Sequence, residues 1–181
     1  MPPAAREERY VALLRGVNVG GKNKIAMVTL AGMFTDFKCR DVATYIQSGN
    51  VVFSADAKAV AKVGGFVCAS IEKQLGFQTS VIVRSLTDIK RISASNPYKD
   101  VEQSHVMFLA DEPSAAQVAT LDHSRSAPDE FTVVGSEIYL YLPNGAGNSK
   151  LTVTYFDSKL KTVGTQRNWR TVQKLRAMMS A

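Results

Sequence analysis

The stretch Arg15-Gly-Val-Asn-Val-Gly-Gly-Lys-Asn-Lys24 constrains the fold most. An apolar run at residues 10–14 precedes it and reads as a first strand. An amphipathic run at residues 27–37 follows, with Met27, Leu30, Met33, Phe34 and Phe37 at helical spacing. Glycine lets backbone approach a ligand closely, and a helix N-terminus offers unpaired N–H groups to an anion. Arg15, Lys22 and Lys24 add three cations. Arg15, Asn18, Gly20, Gly21, Lys22 and Lys24 are therefore the candidate ligand-binding residues of this loop.

The order of elements suggests the fold class. Residues 42–47 and 51–53 read as strands around a turn at Ser48-Gly49-Asn50. Asp56 can cap a second helix whose stripe is Val60, Val63, Val67, Ile71 and Leu75. Gly64-Gly65 within it costs about 1 kcal/mol per glycine, so tertiary packing must hold that helix. Residues 79–84 read as a fourth strand. The order β-α-β-β-α-β is ferredoxin-like. In that arrangement the first strand–helix loop and the hairpin turn are expected at opposite ends of the sheet, which would keep Ser48 away from Lys22.

A possible capping box, Ser85-x-x-Asp88, opens a third helix that Asn96-Pro97 ends. The order then begins again. Residues 105–110 read as a strand, and Pro113 suits the first turn of a helix carrying Val118 and Leu121. Residues 131–134 and 138–142 flank Gly135-Ser136, a hairpin signal. A second glycine loop, Asn144 to Lys150, has Asn148 or Ser149 as a candidate N-cap. Residues 150–160 favour a strand by propensity at Thr152, Val153, Thr154 and Tyr155, but Val153, Phe156 and Leu160 fall at helical spacing. Helix is the assignment here. Residues 163–166 make a short last strand. The expectation is an α+β protein of two ferredoxin-like-type units with mainly antiparallel sheets, the second degenerate. Residues 1–8 are read as a loose tail, 9–84 as the first domain, 85–103 as helix and linker, and 104–181 as the second domain.

Residues 168–179 read as a terminal helix with Trp169, Val172, Leu175 and Met179 inward. At about 100° per residue, Arg167, Arg170 and Lys174 share one outward stripe. That stripe is a second candidate surface for an anion or nucleic acid.

Several functions are disfavoured. Gly16-x-x-x-x-Gly21-Lys22 has the P-loop spacing, but Asn23 stands where a magnesium-binding Ser or Thr belongs, which argues against a nucleoside triphosphatase. Cys39 and Cys68 lack metal-ligand spacing. His105 and His123 have no acidic or thiol partner at ligand or triad spacing. No metal site, cofactor or catalytic residue is assigned. No apolar run approaches the roughly 20 residues of a membrane span, and a cytoplasmic protein without a membrane partner is expected. A net charge of +6 permits an anionic ligand without requiring one.

Leu14-Arg-Gly-Val-Asn-Val-Gly-Gly-Lys-Asn-Lys24, Thr44-Tyr-Ile-Gln-Ser-Gly-Asn-Val-Val-Phe53 and Thr165-Gln-Arg-Asn-Trp-Arg-Thr-Val172 together resemble an uncharacterised bacterial family, domain of unknown function 1697. The resemblance implies a two-domain α+β protein built on ferredoxin-like units. It implies no activity, cofactor or catalytic residue. The family usually has proline where this chain has Ala26. The expected function is a cytoplasmic module that binds a phosphorylated or otherwise anionic ligand, including nucleotide or nucleic acid, at the loop of residues 15–24. The alternatives are an enzyme acting on a small anionic metabolite, or a structural or oligomeric interaction protein without a ligand.

Overall fold

The structure, a computed structural model, describes residues 7–181. The loose-tail reading of residues 1–8 thus lies mostly outside the described residues, and Glu8 already opens the first strand. The fold is α+β, with two four-stranded antiparallel sheets.

The first sheet comes from β1 (Glu8–Leu14), β2 (Arg40–Tyr45), β3 (Asn50–Ala55) and β4 (Val81–Ser85), in the order β2-β3-β1-β4. Helices α1 (Met27–Asp36) and α2 (Ala57–Leu75) make the two crossovers, which is the ferredoxin-like arrangement. Asp56 caps α2 as its position suggests. Its Oδ1 accepts from the Lys58 and Ala59 amides at 2.8 Å each. Leu30, Met33 and Phe34 of α1, with Val63, Val67 and Ile71 of α2, pack on Tyr10, Ala12, Leu14, Val51 and Phe53 of the sheet. This contact supplies the burial that Gly64-Gly65 makes necessary. Val11, Leu13 and Val52 on the opposite face are buried too. The central strands therefore read as apolar runs rather than alternating ones.

Helix α3 (Leu86–Ala94) starts from the Ser85–Asp88 capping box. The Asp88 amide donates to Ser85 Oγ at 3.1 Å, and the Ser85 amide donates to Asp88 Oδ2 at 3.0 Å.

The second sheet is built of β5 (Ser104–Leu109), β6 (Glu130–Val134), β7 (Glu137–Tyr141) and β8 (Gly164–Asn168), ordered β6-β7-β5-β8. This is the same permutation as in the first sheet. Its crossovers are α4 (Ala115–Val118) and α5 (Val153–Leu160), and α6 (Trp169–Ser180) follows. Leu121, Phe131, Ile138, Leu140, Phe156 and Leu160 belong to its core. The helix choice for residues 150–160 holds from Val153 onward, because burial of Tyr155, Phe156 and Leu160 outweighs strand propensity.

Two local readings need correction. Helix α4 is one four-residue turn, and Pro113 lies outside it. Ser114 is the N-cap, in a reciprocal box with Gln117. The helix does not reach Leu121, and Asp122 then turns the chain by accepting from the Ser124 amide at 2.9 Å. The N-cap of α5 is Thr152, which accepts from the Tyr155 amide at 3.2 Å, so neither Asn148 nor Ser149 serves. Ser149 instead follows a 3-10 turn and accepts from the Leu151 amide.

The chain divides into two compact units. One runs to Lys90 and includes Leu175–Ala181, and the other is Arg91–Lys174. The division therefore cuts α3 and α6 rather than a linker.

The inward residues of α6 are those the pattern names: Trp169, Val172, Leu175 and Met179 are all buried. Asn168 Oδ1 caps this helix through the Thr171 amide at 2.8 Å. Trp169→Ala removes a large buried ring and should lower unfolding free energy by about 3 kcal/mol or more. Urea denaturation followed by circular dichroism measures this. A loss within the ±0.5 kcal/mol or so of a surface change would show that the ring is not a structural anchor.

Candidate ligand-binding site

Strand direction decides which loops meet. Because β3 and β4 both run antiparallel to β1, the end of β1 lies beside their beginnings. Leu13 pairs with Asn50, and Leu14 with Val81. The loop of residues 15–26, the β2–β3 turn and the α2–β4 connection therefore emerge at the same end of the sheet. The expectation that the hairpin and the glycine loop lie at opposite ends is wrong. The Leu14 amide donates to the Gly49 carbonyl at 2.9 Å, and the Arg15 amide to the Ser80 carbonyl at 3.0 Å. Thr79 Oγ1 donates to the Arg15 carbonyl at 2.7 Å.

Asn18 holds these loops together. Its Nδ2 donates to the Ile25 carbonyl at 2.9 Å and to the Gln47 carbonyl at 2.8 Å. Its Oδ1 accepts from the Ile25 amide at 2.9 Å. Both side-chain donors are thus used in clamping the loop. The backbone of Asn18 is left-handed, φ 55°, a conformation asparagine tolerates better than most residues. Between its clamped ends, the loop folds back on itself. The Lys22 amide donates to the Val19 carbonyl at 3.0 Å, and Gly20 and Gly21 both have positive φ, as a two-residue hairpin turn of type I′ requires. Asn23 Nδ2 then donates to the Gly16 carbonyl at 3.1 Å. The chain folds as a hairpin several residues before α1, not as a loop wrapped onto a helix N-terminus. The P-loop spacing is therefore not accompanied by P-loop geometry.

Gly49 seats the hairpin. Its φ is +78°, and a Cβ there would lie 2.7 Å from Val17 Cγ2 and 2.8 Å from Leu14 Cβ. Asn50, fully buried beside it, donates to the Tyr45 carbonyl at 3.0 Å and to Ser48 Oγ at 2.9 Å.

Two open depressions flank the clamped loop. One, of about 430 Å³, is lined by Asn18, Gly21, Lys24, Ile25, Ala26 and Gln47. The other, of about 300 Å³, is lined by Arg15, Gly16, Asn23, Gln78, Thr79 and Ser80. The six candidate residues thus share one loop, but Arg15 and Lys24 line different depressions. Lys22 and Lys24 are exposed, and among the described residues neither has a carboxylate ion pair. Residues 14–26, 46–50 and 76–80 contain no Asp or Glu. The nearest carboxylate along the chain on the α2 side, Glu72, accepts from Gln78 Nε2 at 2.9 Å. The three loops present positive charge and backbone polar groups, and they offer no general acid, base or nucleophile pair.

Two of the three sequence stretches that resemble one family build this loop cluster. Residues 8–139 match the family described as Protein of unknown function (DUF1697). The chain belongs to the DUF1697 family. The fold recurs in a solved conserved bacterial protein from Streptococcus pneumoniae, 24% identical, with a TM-score of 0.73. That likeness covers 96% of this chain and 99% of the other, and at this identity it speaks to fold alone. No functionally curated protein matches the chain.

The second candidate surface of this DUF1697 member is not a three-cation stripe. Arg167 lies on β8, not on α6, and is buried. Its guanidinium donates to Thr165 Oγ1 and to the Gln166 carbonyl, each at 2.8 Å, and burial lowers its pKa to about 10. Helical spacing failed there because β8 runs through Asn168 before the helix starts. Arg170 is exposed and ion-paired with Glu102 at 3.0 Å, which leaves Lys174 as the exposed cation of the stripe without a carboxylate partner among the described residues. That ion pair borders a hollow of about 490 Å³, whose lining includes His105, Asn168, Trp169 and Gln173. This is larger than either depression in the first unit, but its paired opposite charges give an anion no net attraction. Burial lowers the pKa of His105, while its contact with the Gln103 backbone opposes that shift. His123 stacks on Phe131 with ring centroids 4.2 Å apart.

The second glycine loop does not repeat the first. It follows the third strand of its sheet, whereas the first loop follows the first strand. Asn148 Nδ2 donates to the Asn144 carbonyl at 2.9 Å and closes it locally. Among the described residues, no group of three or more His, Cys, Asp or Glu is placed to hold a metal ion. No helix among them is long and apolar enough to cross a membrane.

Sequence reasoning missed Gln47, Gln78 and Thr79 as neighbours of the loop. Nothing local identifies them, but the strand order does once β3 and β4 are placed beside β1. Gly49→Ala should destabilise the protein by about 2 kcal/mol or more, through strain at positive φ and overpacking. Gly16→Ala, with comparable φ of +62° but open space around its Cβ, should cost less. Thermal and urea unfolding of both variants checks this; equal losses would show that backbone conformation alone, not docking of the hairpin, makes Gly49 necessary.

Proposed function

We propose that the loop end of the first sheet binds a phosphorylated or otherwise anionic ligand, with Lys22, Lys24 and Arg15 supplying the charge. The observation that carries the reading is that Lys22 and Lys24 are exposed without a carboxylate ion pair among the described residues, at the end of the sheet where three converging loops contain no Asp or Glu. Preorganisation adds to it, because the side chain of Asn18 already fixes the loop and little ordering remains to be done on binding. The unit carrying Arg167, Arg170 and Lys174 is left out of the proposed site, since Arg167 is buried and Arg170 is ion-paired. The two free thiols, Cys39 and Cys68, suit a reducing, cytoplasmic setting.

Lys22→Ala combined with Lys24→Ala should weaken binding of phosphate-type ligands by about tenfold or more, since charge-assisted contacts each contribute about 1.5–3 kcal/mol. Melting should stay nearly unchanged, because exposed lysines contribute little to stability. Titration calorimetry with inorganic phosphate, nucleoside mono- and triphosphates and a short single-stranded RNA, at low and high salt, makes the comparison. Binding that survives the double change, or its absence from the unmodified protein, would favour the reading in which these loops serve the fold alone.

A further inference from the structure

Ile46 is a β-branched residue at φ +48°, a conformation that side chains branched at Cβ avoid. It is also 49% exposed, so burial does not compensate the strain. The sequence pattern places Ile46 inside a strand, but β2 stops at Tyr45 and the backbone turns Ile46 outward. Val28 is 81% exposed and Val19 62%. These three are the most exposed large hydrophobic side chains among the described residues. All three lie within two residues of the wall of one depression: Ile46 precedes Gln47, Val19 follows Asn18, and Val28 comes two positions after Ala26. The Asn18 bonds to Gln47 and Ile25 hold these wall segments together. Lys24 lines the same depression.

One strained residue, Ile46, and two further exposed aliphatic side chains, each next to or two positions from a residue that lines this cationic hollow, leave apolar surface in water in the free protein. A ligand that is anionic at one end and aliphatic at the other would use both features. We propose that this site takes a phosphate monoester with an aliphatic body, its head on Lys22 and Lys24 and its chain over Ile46, Val28 and Val19. The inference rests on the anion-binding reading and adds the nature of the ligand's other end. Nucleic acid fits the rim less well. Bases stack on aromatic faces, and the one aromatic ring on these loops, Phe77, packs against the core.

The test is calorimetric titration of the full chain with inorganic phosphate and with butyl, hexyl and octyl phosphate, all below micellar concentrations. Affinity should rise by about fourfold for each CH₂ the rim covers. Ile46→Asn keeps a residue that tolerates the left-handed backbone and removes the aliphatic surface. It should leave the melting temperature equal or higher and flatten the chain-length dependence, and Val28→Ser should also flatten it. A melting loss in Ile46→Asn, with the chain-length dependence intact in Val28→Ser, would mean that these side chains serve the fold, and would overturn the proposal. If inorganic phosphate binds as tightly as octyl phosphate, the amphipathic ligand is wrong and the anion site stands. If no phosphate of the series binds, both fall.

Discussion

The side chain of Asn18 is the interaction on which the loop end of the first unit depends. One amide bonds both backbone groups of Ile25 and the carbonyl of Gln47. It joins the two ends of the eight-residue segment 18–25 to each other and to a hairpin that is distant in sequence. An aspartate would lose both donors, and a glycine would keep the backbone conformation but lose the bonds. The remaining features follow from the clamp. The segment between Asn18 and Ile25 has no room to extend, so it doubles back at Gly20-Gly21. Lys22 and Lys24 are then carried on a folded turn instead of a free strand end. Gly49 completes the arrangement from the hairpin side, where Val17 and Leu14 leave no space for a Cβ.

The two units show how far loop chemistry diverges on one topology. Their strand orders are the same permutation. In the first unit the connection after the first strand carries three cations and no acid. In the second, the equivalent connection of residues 110–114 is short and carries Asp111 and Glu112. Asp111 accepts from Thr162 Oγ1 there, and its amide in turn donates to that hydroxyl. A shared fold therefore assigns no shared function to the two ends, and a site has to be argued from its own residues.

Much of the fold was legible in the chain. Asp56, Ser85 and the apolar stripes of α1, α2 and α6 identify their helices through capping and periodicity, which are local physics. Element order then suggests the topology. The errors arose where local signals compete or where the answer is non-local. Pro113 favours a helix start, but Ser114 makes the better cap. Arg167 fits a helical stripe by spacing, but pairing with β5 extends β8 past it. The candidate site was visible as a cluster of glycine and lysine, whereas its shape was not. Convergence with the hairpin depends on strand direction, and the left-handed turn at Ile46 opposes everything its sequence neighbours suggest.

The side-chain bonds of Asn18 make the loop of residues 15–26 a preformed platform rather than a flexible segment. Residue-resolved amide hydrogen exchange of the free protein tests it most directly, at the amide of Ile25. This amide lies outside any helix or strand, and its bond is to the Asn18 side chain. Protection at Ile25 should be comparable to that of Leu14, whose amide bonds to Gly49 at the end of β1. Exchange at Ile25 as fast as at an unprotected loop amide, with Leu14 still protected, would contradict it.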